Sequence, residues 1–330
     1  MDPVTVPDIH KLNGKRILIT GASGFIGSNL VKHLSHTSAE VFGTSRHNRE
    51  SSIPNFTWME CAADDYESVD QLFHAVNPDI IFHLAGEVTG SQDIKYVQST
   101  FHSLVASTVN ILTIATKRGC ERVVLMGSCR EPEHTELPDS PYAAAKSSGS
   151  IYANMFWNCY QTPVVTVRTF VTYGPGQPTK MLIPHVILSL LNNESPKLSS
   201  GKWETDWIYI DDVVEGMIAA AVVPDVEGST VDLATGVLTS VKDVVETIKE
   251  NIETNATPLF GALPDRKNEH IRVADTEATF EKLKWRAKTT LAVGLVKTIQ
   301  SIRNSVAMRV SFVGHSLTEL IASECYWGLI

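Results

Sequence analysis

Apolar and polar positions repeat with two different periods along the first half of the chain. Short apolar runs rich in valine and isoleucine are typical of buried parallel strands, and apolar residues spaced about three or four apart are typical of helices. The pattern predicts strands in RILIT (16–20), AEVFGTSR (39–46), NFTWMEC (55–61), DIIFHLAG (79–86), RVVLMGS (122–128) and PVVTVRTF (163–170). It predicts helices in SNLVKHL (28–34), YESVDQLFHAV (66–76), about 93–118 and SPYAAAKSSGSIYANMFWNCY (140–160).

Alternation of strands and helices with short turns predicts an α/β fold built on a doubly wound parallel sheet. Ligands of such sheets bind at the carboxyl ends of the strands. The glycine stretch after the first strand, residues 83–86, Ser128 and the turn TYGPGQ (172–177) all lie at that edge. We therefore expect these four loops to line one crevice.

The pattern loosens after Gly176 and predicts a smaller mixed α/β domain that closes over the crevice. Its predicted elements are a helix in 179–193 interrupted at Pro184, a strand in STVDLATG (229–236) and a helix in 239–252 capped by Ser240. The predicted domains are 1–175 and, mainly, 176–305, with the strand-helix segment 206–224 as a candidate addition to the first sheet. Residues 306–330 form a tail to which the sequence assigns no role.

Composition narrows the classes of partner. The chain has 330 residues, a net charge of −9 and a pI near 5.7, so no overall basic field attracts nucleic acid. The apolar run MIAAAVV stops at Pro224 and is too short to span a bilayer. The five cysteines are scattered without a CxxC pair, which predicts neither a disulfide framework nor a metal site. We expect a cytoplasmic protein without nucleic-acid or membrane partners.

The segment GASGFIG places Gly21, Gly24 and Gly27 between the first strand and the first helix. Glycine permits a sharp turn, lets a phosphate approach the backbone and lets the helix pack close to the strand. The helix N-terminus adds free N–H groups and a positive dipole end. This context favours a dinucleotide site over the alternative, a glycine-rich turn without a ligand.

Tyr142 and Lys146 stand in YAAAK, four residues apart on one face of a predicted helix. An ammonium about 4 Å from a phenol contributes about 4 kcal/mol at an effective dielectric constant of 20, or roughly three pKa units. The sequence therefore predicts a Tyr142 pKa lowered toward neutrality, which suits an acid/base group. Ser128 is placed to bind the same substrate oxygen. Each residue alone is also common by chance on helices and strand ends.

These motifs occur in one order: GASGFIG, HLAG, Ser128, YAAAK, RTFVTYGPGQ (168–177) and DWIYIDDV (206–213). In this respect the chain, from about Lys15 to about Ile302, resembles the extended short-chain dehydrogenases/reductases of the NAD(P)-dependent nucleotide-sugar epimerase/dehydratase family. The resemblance implies a Rossmann-type first domain, a bound NAD(P), a nucleoside-diphosphate sugar as substrate and a homodimer formed through about 93–118 and 142–160.

The resemblance also implies roles for individual residues. Tyr142 is the acid/base group, Lys146 holds the nicotinamide ribose and Ser128 polarises the substrate oxygen. The implied cofactor contacts are Gly21, Ser23, Gly24, Phe25, Ile26, Gly27, Ser45, Arg46, Asp64, Leu84, Ala85, Gly86, Tyr142, Lys146 and Pro175. The implied substrate contacts are Ser128, Cys129, Tyr142 and Arg266, the last at the pyrophosphate.

Departures from the family pattern refine these expectations. The second strand ends in Ser45-Arg46 without the carboxylate that binds the adenosine ribose, which favours NADP(H) over NAD(H) because an arginine can bind a 2′-phosphate. The alternative is a solvated surface arginine. Thr205 stands where the family has an arginine, so one usual phosphate contact is absent. The adenine contact is open between Asp64 and Asp65.

The reaction is narrowed by the residues after Ser128. Sugar 4,6-dehydratases of the family carry Asp-Glu there, whereas this chain has Cys129-Arg130, followed by Glu131 and Glu133 as acids that could reach inward. We therefore predict NADPH-dependent reduction of a 4-keto-6-deoxy sugar nucleotide. A 4-epimerase is the second prediction, and a non-catalytic dinucleotide-sensing protein is the alternative from a different class.

Overall fold

The computed structural model describes residues 8–133, 136–265 and 271–313. Its larger sheet has seven strands in the order β3-β2-β1-β4-β5-β6-β9, all paired in parallel. Its strands are β1 (Arg16–Thr20), β2 (Glu40–Ser45), β3 (Phe56–Glu60), β4 (Ile80–His83), β5 (Arg122–Ser128), β6 (Val164–Thr169) and β9 (Thr230–Leu233). The order reverses beside β1, as in Rossmann folds, so the predicted fold class is confirmed.

A second sheet has three strands in the order β10-β8-β7. These are β7 (Val171–Tyr173), β8 (Glu204–Tyr209) and β10 (Leu238–Ser240). The helices of the described residues, after a short 3-10 turn at Ile9–Leu12, are α1 (Phe25–Leu34), α2 (Tyr66–Val76), α3 (Tyr96–Thr100), α4 (Ser107–Arg118), α5 (Pro141–Tyr160), α6 (Leu182–Leu191), α7 (Ile210–Val222), α8 (Val241–Glu250), α9 (Thr276–Leu283) and α10 (Leu291–Val313).

The chain divides into two compact units. One comprises the described residues up to 171 together with 211–236 and 274–287, and the other comprises 172–210, 237–265, 271–273 and 288–313. The predicted place of strand β9 in the smaller domain is wrong, because a local pattern carries no information about which sheet a strand joins. It lies beside β6 in the larger sheet.

The larger sheet is apolar on both faces, which explains its continuous hydrophobic strands. Ile17, Leu18 and Ile19 of β1 are fully buried. On one face, Leu18 belongs to a core cluster with Phe73 of α2 and Ile111 of α4. Burial of each such side chain contributes about 1.5–3 kcal/mol relative to exposure, so this core fixes the strand ends that carry the candidate site.

The helix predicted over about 93–118 is not uniform. Between α3 and α4 lies a π-helical segment, Phe101–Ala106. Within it, Ser103 Oγ accepts a hydrogen bond from Glu87 N at 3.2 Å, and just after it Ser107 Oγ lies 3.3 Å from His83 Nε2. The wider turn therefore brings two hydroxyl groups into contact with the end of β4 and with the loop that follows it. π-helical turns of this kind are frequent at functional sites.

Two predictions about helix ends have different outcomes. Ser240 caps α8 as predicted, with its Oγ accepting from Asp243 N at 3.1 Å. The predicted interruption of a helix at Pro184 is wrong, because α6 begins at Leu182 and the proline occupies its first turn. Proline is tolerated there since the first N–H groups of a helix have no intrahelical acceptor. None of the helices within the described ranges is long and apolar enough to cross a membrane.

Candidate active site

The glycine turn after β1 is shaped by a close approach of two backbones. Gly21 has φ +72°, and a Cβ built on it would lie 2.8 Å from Ala85 N. Thr20 fixes the second backbone, because its carbonyl accepts from Leu84 N and its Oγ1 accepts from Ala85 N, each at 3.2 Å. The structure therefore brings together the predicted cofactor residues after β1 and after β4.

Helix α1 begins inside this turn. Gly24 is its N-cap and provides no side-chain acceptor, and Phe25, Ile26 and Gly27 form the first turn. The amides of a first helical turn lack intrahelical acceptors and attract an anion. A Cβ on Gly27 would lie only 2.2 Å from Gly21 O, so the helix could not approach the turn with any larger residue. This cradle of bare backbone fits a pyrophosphate.

Strand β2 ends in a basic site that the sequence predicts only in part. Ser45 is buried, and its Oγ accepts a hydrogen bond from Arg49 Nε at 3.0 Å. The Arg49 guanidinium also lies 5.4 Å from the centre of the Trp58 ring on β3. The predicted Arg46 is exposed. Arg49 was missed because it lies four residues beyond Ser45, although an R-x-x-R spacing is the signal that could have found it.

The open choice between Asp64 and Asp65 is narrowed by a helix cap. Asp65 is the N-cap of α2, and its Oδ1 accepts from Ser68 N at 2.7 Å. Asp64 beside it is exposed. Asp65 therefore has a structural role, and Asp64 stays the candidate for the adenine contact.

Ser128, Tyr142 and Lys146 converge where β5 meets α5. Ser140 caps α5 by accepting from Ala143 N at 3.2 Å, and Pro141 is the first helical residue, so the helix starts just before Tyr142. Ser128 ends β5 and forms a hydrogen bond with the Tyr142 side chain.

The expected effect of Lys146 on Tyr142 is not what the structure shows. Burial, the largest influence, raises the pKa of Tyr142 to about 12, and the hydrogen bond with Ser128 acts against this rise. Lys146 Nζ lies 6.0 Å from the centre of the Tyr142 ring and donates to Met126 O at 2.6 Å. Burial lowers the pKa of Lys146 to about 8. The predicted lowering of the Tyr142 pKa is wrong for this arrangement, because burial outweighs the hydrogen bond with Ser128 and the Lys146 ammonium donates to the β5 backbone instead.

Residues 17–236 match the family described as the NAD dependent epimerase/dehydratase family, and the match covers more than half of the 330 residues. The chain belongs to this family. The sequence-based family prediction is thereby confirmed, and membership supports a nicotinamide dinucleotide as cofactor. The preference for NADP(H) over NAD(H) stays a prediction.

Members with different reactions are similar to this chain. It is 29% identical over 313 residues to the UDP-glucose 4-epimerase of Mycolicibacterium smegmatis, covering 88% of this chain and 99% of the relative. It is 25% identical over 321 residues to the dTDP-D-glucose 4,6-dehydratase of Mus musculus, covering 88% and 89%. A solved UDP-glucose 4-epimerase from Thermotoga maritima with UDP-glucose has a TM-score of 0.81 at 23% identity, covering 88% of this chain and 99% of that one, which shows the fold.

The two residues that follow Ser128, Cys129 and Arg130, are not the acids expected of a sugar 4,6-dehydratase. Cys129 is half-buried, and its N–H donates to Thr169 O at 3.1 Å. Arg130 pairs with Asp139, whose other carboxylate oxygen accepts from Ser140 Oγ at 3.1 Å. Neither of these two positions carries a carboxylate.

Glu131, which the sequence analysis names only as an acid that could reach inward, is buried in this site. Its Oε1 accepts from Ser128 N at 2.7 Å and its Oε2 accepts from Ser150 Oγ at 2.8 Å. Burial, the largest influence, raises the pKa of Glu131. Nearby, Arg168 donates from Nε to Asp232 Oδ1 at 2.7 Å. The only sequence signal for Glu131 was its closeness to Ser128.

His83 is a buried, neutral histidine with a structural role. Its Nδ1 lies 2.7 Å from Thr20 Oγ1, and its Nε2 contacts Ser107 Oγ. Burial lowers the pKa of His83 to about 3, so the ring is uncharged at neutral pH. It ties β1, β4 and α4 together below the cofactor cradle.

Other predicted site residues lie elsewhere in the chain. Pro175 belongs to the compact unit that includes β7, β8 and β10. In that unit Thr205 is buried in β8. Arg266 lies outside the described residues, as do residues 314–330 of the predicted tail.

Proposed function

We propose that this protein is an NADPH-dependent oxidoreductase that reduces C4 of a 4-keto-6-deoxy nucleoside-diphosphate sugar. The observation that carries the choice of a consumed reductant is the basic end of β2, where Ser45 and Arg49 are held together without an acid between them. A 2′-phosphate distinguishes NADPH from NADH, and a guanidinium beside a hydroxyl suits it.

The residues of the β5–α5 junction supply proton transfer and orientation. The cofactor supplies the hydride when it is bound. Tyr142, kept protonated by a pKa of about 12, gives its phenol proton to the C4 oxygen as that oxygen gains negative charge. Ser128 donates a hydrogen bond to the same oxygen. Lys146, when protonated, would donate a hydrogen bond to a ribose hydroxyl of the bound cofactor.

Dehydration is not part of the proposal because neither of the two residues that follow Ser128 is an acid. Proton removal at C5 and return at C6 require groups that can reach the sugar. Cys129 and Arg130 occupy the relevant positions, and Arg130 is paired with Asp139. Glu131 is close, but both of its oxygens already accept hydrogen bonds from Ser128 N and Ser150 Oγ.

A 4-epimerase is the second candidate, favoured by the names of the similar proteins from Mycolicibacterium smegmatis and Thermotoga maritima. It would use the same Ser128, Tyr142 and Lys146, return the hydride to the opposite face of C4 and consume no cofactor. The UDP-glucose bound to the Thermotoga protein also supports a nucleoside-diphosphate sugar as the substrate class here. Arg266 is the proposed contact to its pyrophosphate.

A homodimer is proposed through the outer faces of α3, the π-helical segment and α5. Large apolar side chains are exposed there, and such patches mark protein contacts. They are Val97, Phe101, Ile151, Tyr152 and Tyr160. The mass of the protein in solution, measured by sedimentation or light scattering, tests this proposal, and a monomer at micromolar concentration would contradict it.

Deuterium tracing separates the candidate reactions. The protein is supplied with 4-deuterated NADPH and either a 4-keto-6-deoxy sugar nucleotide or a 4-hydroxy sugar nucleotide, and the product is analysed by NMR. A reductase places deuterium at C4 and oxidises one NADPH for each product molecule.

Other outcomes point elsewhere. Interconversion of 4-hydroxy sugars without net oxidation or label would support the epimerase. Deuterium from heavy water at C5, with loss of the C6 hydroxyl, would show dehydration and contradict both candidates. Dinucleotide binding with no turnover of either sugar class would favour the non-catalytic alternative.

A further inference from the structure

Glu131 joins the two elements that carry the proposed acid/base residues. Its side chain is buried beneath the end of β5, and only 6% of the residue is exposed. One carboxylate oxygen accepts from Ser128 N on β5, and the other accepts from Ser150 Oγ on α5. Burial removes the water that hydrates a carboxylate, so contacts within the protein must offset this loss. The contacts of Glu131 are with β5 and α5, the two elements that carry the candidate active site.

Lys146 lies close enough to respond to this carboxylate. It is buried, one turn before Ser150 on α5, and burial lowers its pKa to about 8 while the charge of Glu131 acts in the opposite direction. A cavity of about 10 Å³ is lined by both Lys146 and Ser150.

The other titratable groups around Lys146 are either neutral or paired with an opposite charge. His83 on β4 is neutral at working pH because of its lowered pKa. Arg168 on β6 is paired with Asp232 on β9, and its charge lowers the pKa of Glu131. On the loop after β5, Arg130 is paired with Asp139.

Tyr142 is a further titratable group close to Lys146. Tyr142 on α5 has its pKa raised by burial first, and the charges of Cys129 and Glu131 raise it further. Glu131 therefore acts on both members of the Tyr142–Lys146 pair. Its negative charge favours the protonated form of each.

We propose that Glu131 is a positioning residue that keeps Lys146 protonated over the working pH range and holds the Ser128 backbone beside Tyr142. The proposal rests on the proposed function, in which Lys146 binds the cofactor ribose and Tyr142 transfers the proton. It separates two contributions of one side chain, a charge that acts on Lys146 and a hydrogen bond that orients Ser128.

Two substitutions separate the charge from the hydrogen bonds. Glu131→Gln removes the charge, keeps an oxygen for Ser128 N and offers an amide to Ser150 Oγ, which can accept. Glu131→Asp keeps the charge but is too short to reach both partners. Glu133→Gln is the matched control, because it removes an exposed acid from the same loop two residues away.

The experiment measures kcat/KM and the dissociation constant of NADPH as functions of pH for the wild type, these three variants and Lys146→Ala. In Glu131→Gln the alkaline limb of both profiles should move to lower pH by about half a unit or more, since loss of a nearby negative charge favours deprotonation. Glu131→Asp should keep the position of the limb and lose kcat. Glu133→Gln should match the wild type.

The binding profile needs no turnover, so it distinguishes failure of this proposal from failure of the proposed function. If Lys146→Ala weakens NADPH binding but the Glu131→Gln limb coincides with that of the wild type, the inference about Glu131 is overturned. If Lys146→Ala binds NADPH normally, the proposed role of Lys146 fails first. An equal shift in Glu133→Gln would show a general surface-charge effect and also overturn the inference.

Discussion

The turn between β1 and α1 can be tested by adding a single methyl group. Gly27→Ala places a Cβ at 2.2 Å from Gly21 O and 2.8 Å from Ala22 Cα. Carbon and oxygen atoms in contact are normally about 3.3 Å apart, so helix and turn must separate by about 1 Å. Both neighbours are backbone atoms, which cannot rotate away.

The expected cost follows from this geometry. Forcing a methyl group into a packed site costs about 1–3 kcal/mol, and the helix gains about 0.5–1 kcal/mol when alanine replaces glycine. We therefore expect Gly27→Ala to lower the free energy of unfolding by about 1–2 kcal/mol, or the Tm by about 1–3 °C. The displaced amides of the first helical turn should also lower dinucleotide affinity at least about tenfold.

Gly149→Ala is the matched control, because it also adds a methyl group to a helical glycine. The nearest atom to its Cβ would be Thr108 Oγ1 at an ordinary 3.7 Å. Thermal unfolding and fluorescence titration with NADPH are measured for both variants. If Gly27→Ala is as stable as Gly149→Ala and binds the dinucleotide equally well, the close-approach argument for this turn is refuted.

Three further predictions concern other parts of the site. Tyr142→Phe should reduce turnover by about 10²- to 10⁴-fold with little change in NADPH affinity, and near-normal turnover would exclude Tyr142 as the acid. Arg49→Ala should weaken NADPH binding by about 10- to 100-fold and leave NADH binding unchanged, whereas Arg46→Ala should have a smaller effect; a larger effect of Arg46 in the titration would return the phosphate site to that residue. His83 has a folded pKa of about 3, below its unfolded value of 6.5, so stability should be lost as pH falls below about 6.5, by about 1.4 kcal/mol per pH unit. Urea unfolding at pH 7 and pH 5 should show this loss in the wild type and a smaller one in His83→Gln, and equal losses would contradict the assignment.

The sequence was sufficient for the parts of the fold that depend on local pattern. The strands through β6 and the helices α2 and α5 lie where hydrophobic period and capping residues predict them. The glycine turn could also be predicted, because the spacing of its three glycines is typical of one backbone conformation. The π-helical segment was not, since the residues Phe101–Ala106 carry an ordinary helical pattern and the extra residue is fitted by contacts to the loop after β4.

The sequence predicts which residues form the candidate site but not their protonation states. The Tyr142 and Lys146 positions follow from their spacing, whereas their pKa values depend on burial and on the direction of the Lys146 side chain toward Met126 O. Glu131 and Arg49 depend on loop conformations after β5 and β2. A sequence pattern places such residues near a site without showing which way they face.

The π-helical segment limits how the chain length can vary. Deleting one residue within Phe101–Ala106 would leave a regular helix and rotate its first part about 100° relative to its second. Val97 would then leave the exposed apolar face, while Ile111 would keep its place in the core. In an alignment with a protein whose helix is regular throughout, a one-residue gap therefore belongs inside this segment, and a gap placed in either flanking loop would pair the wrong residues along half of the helix.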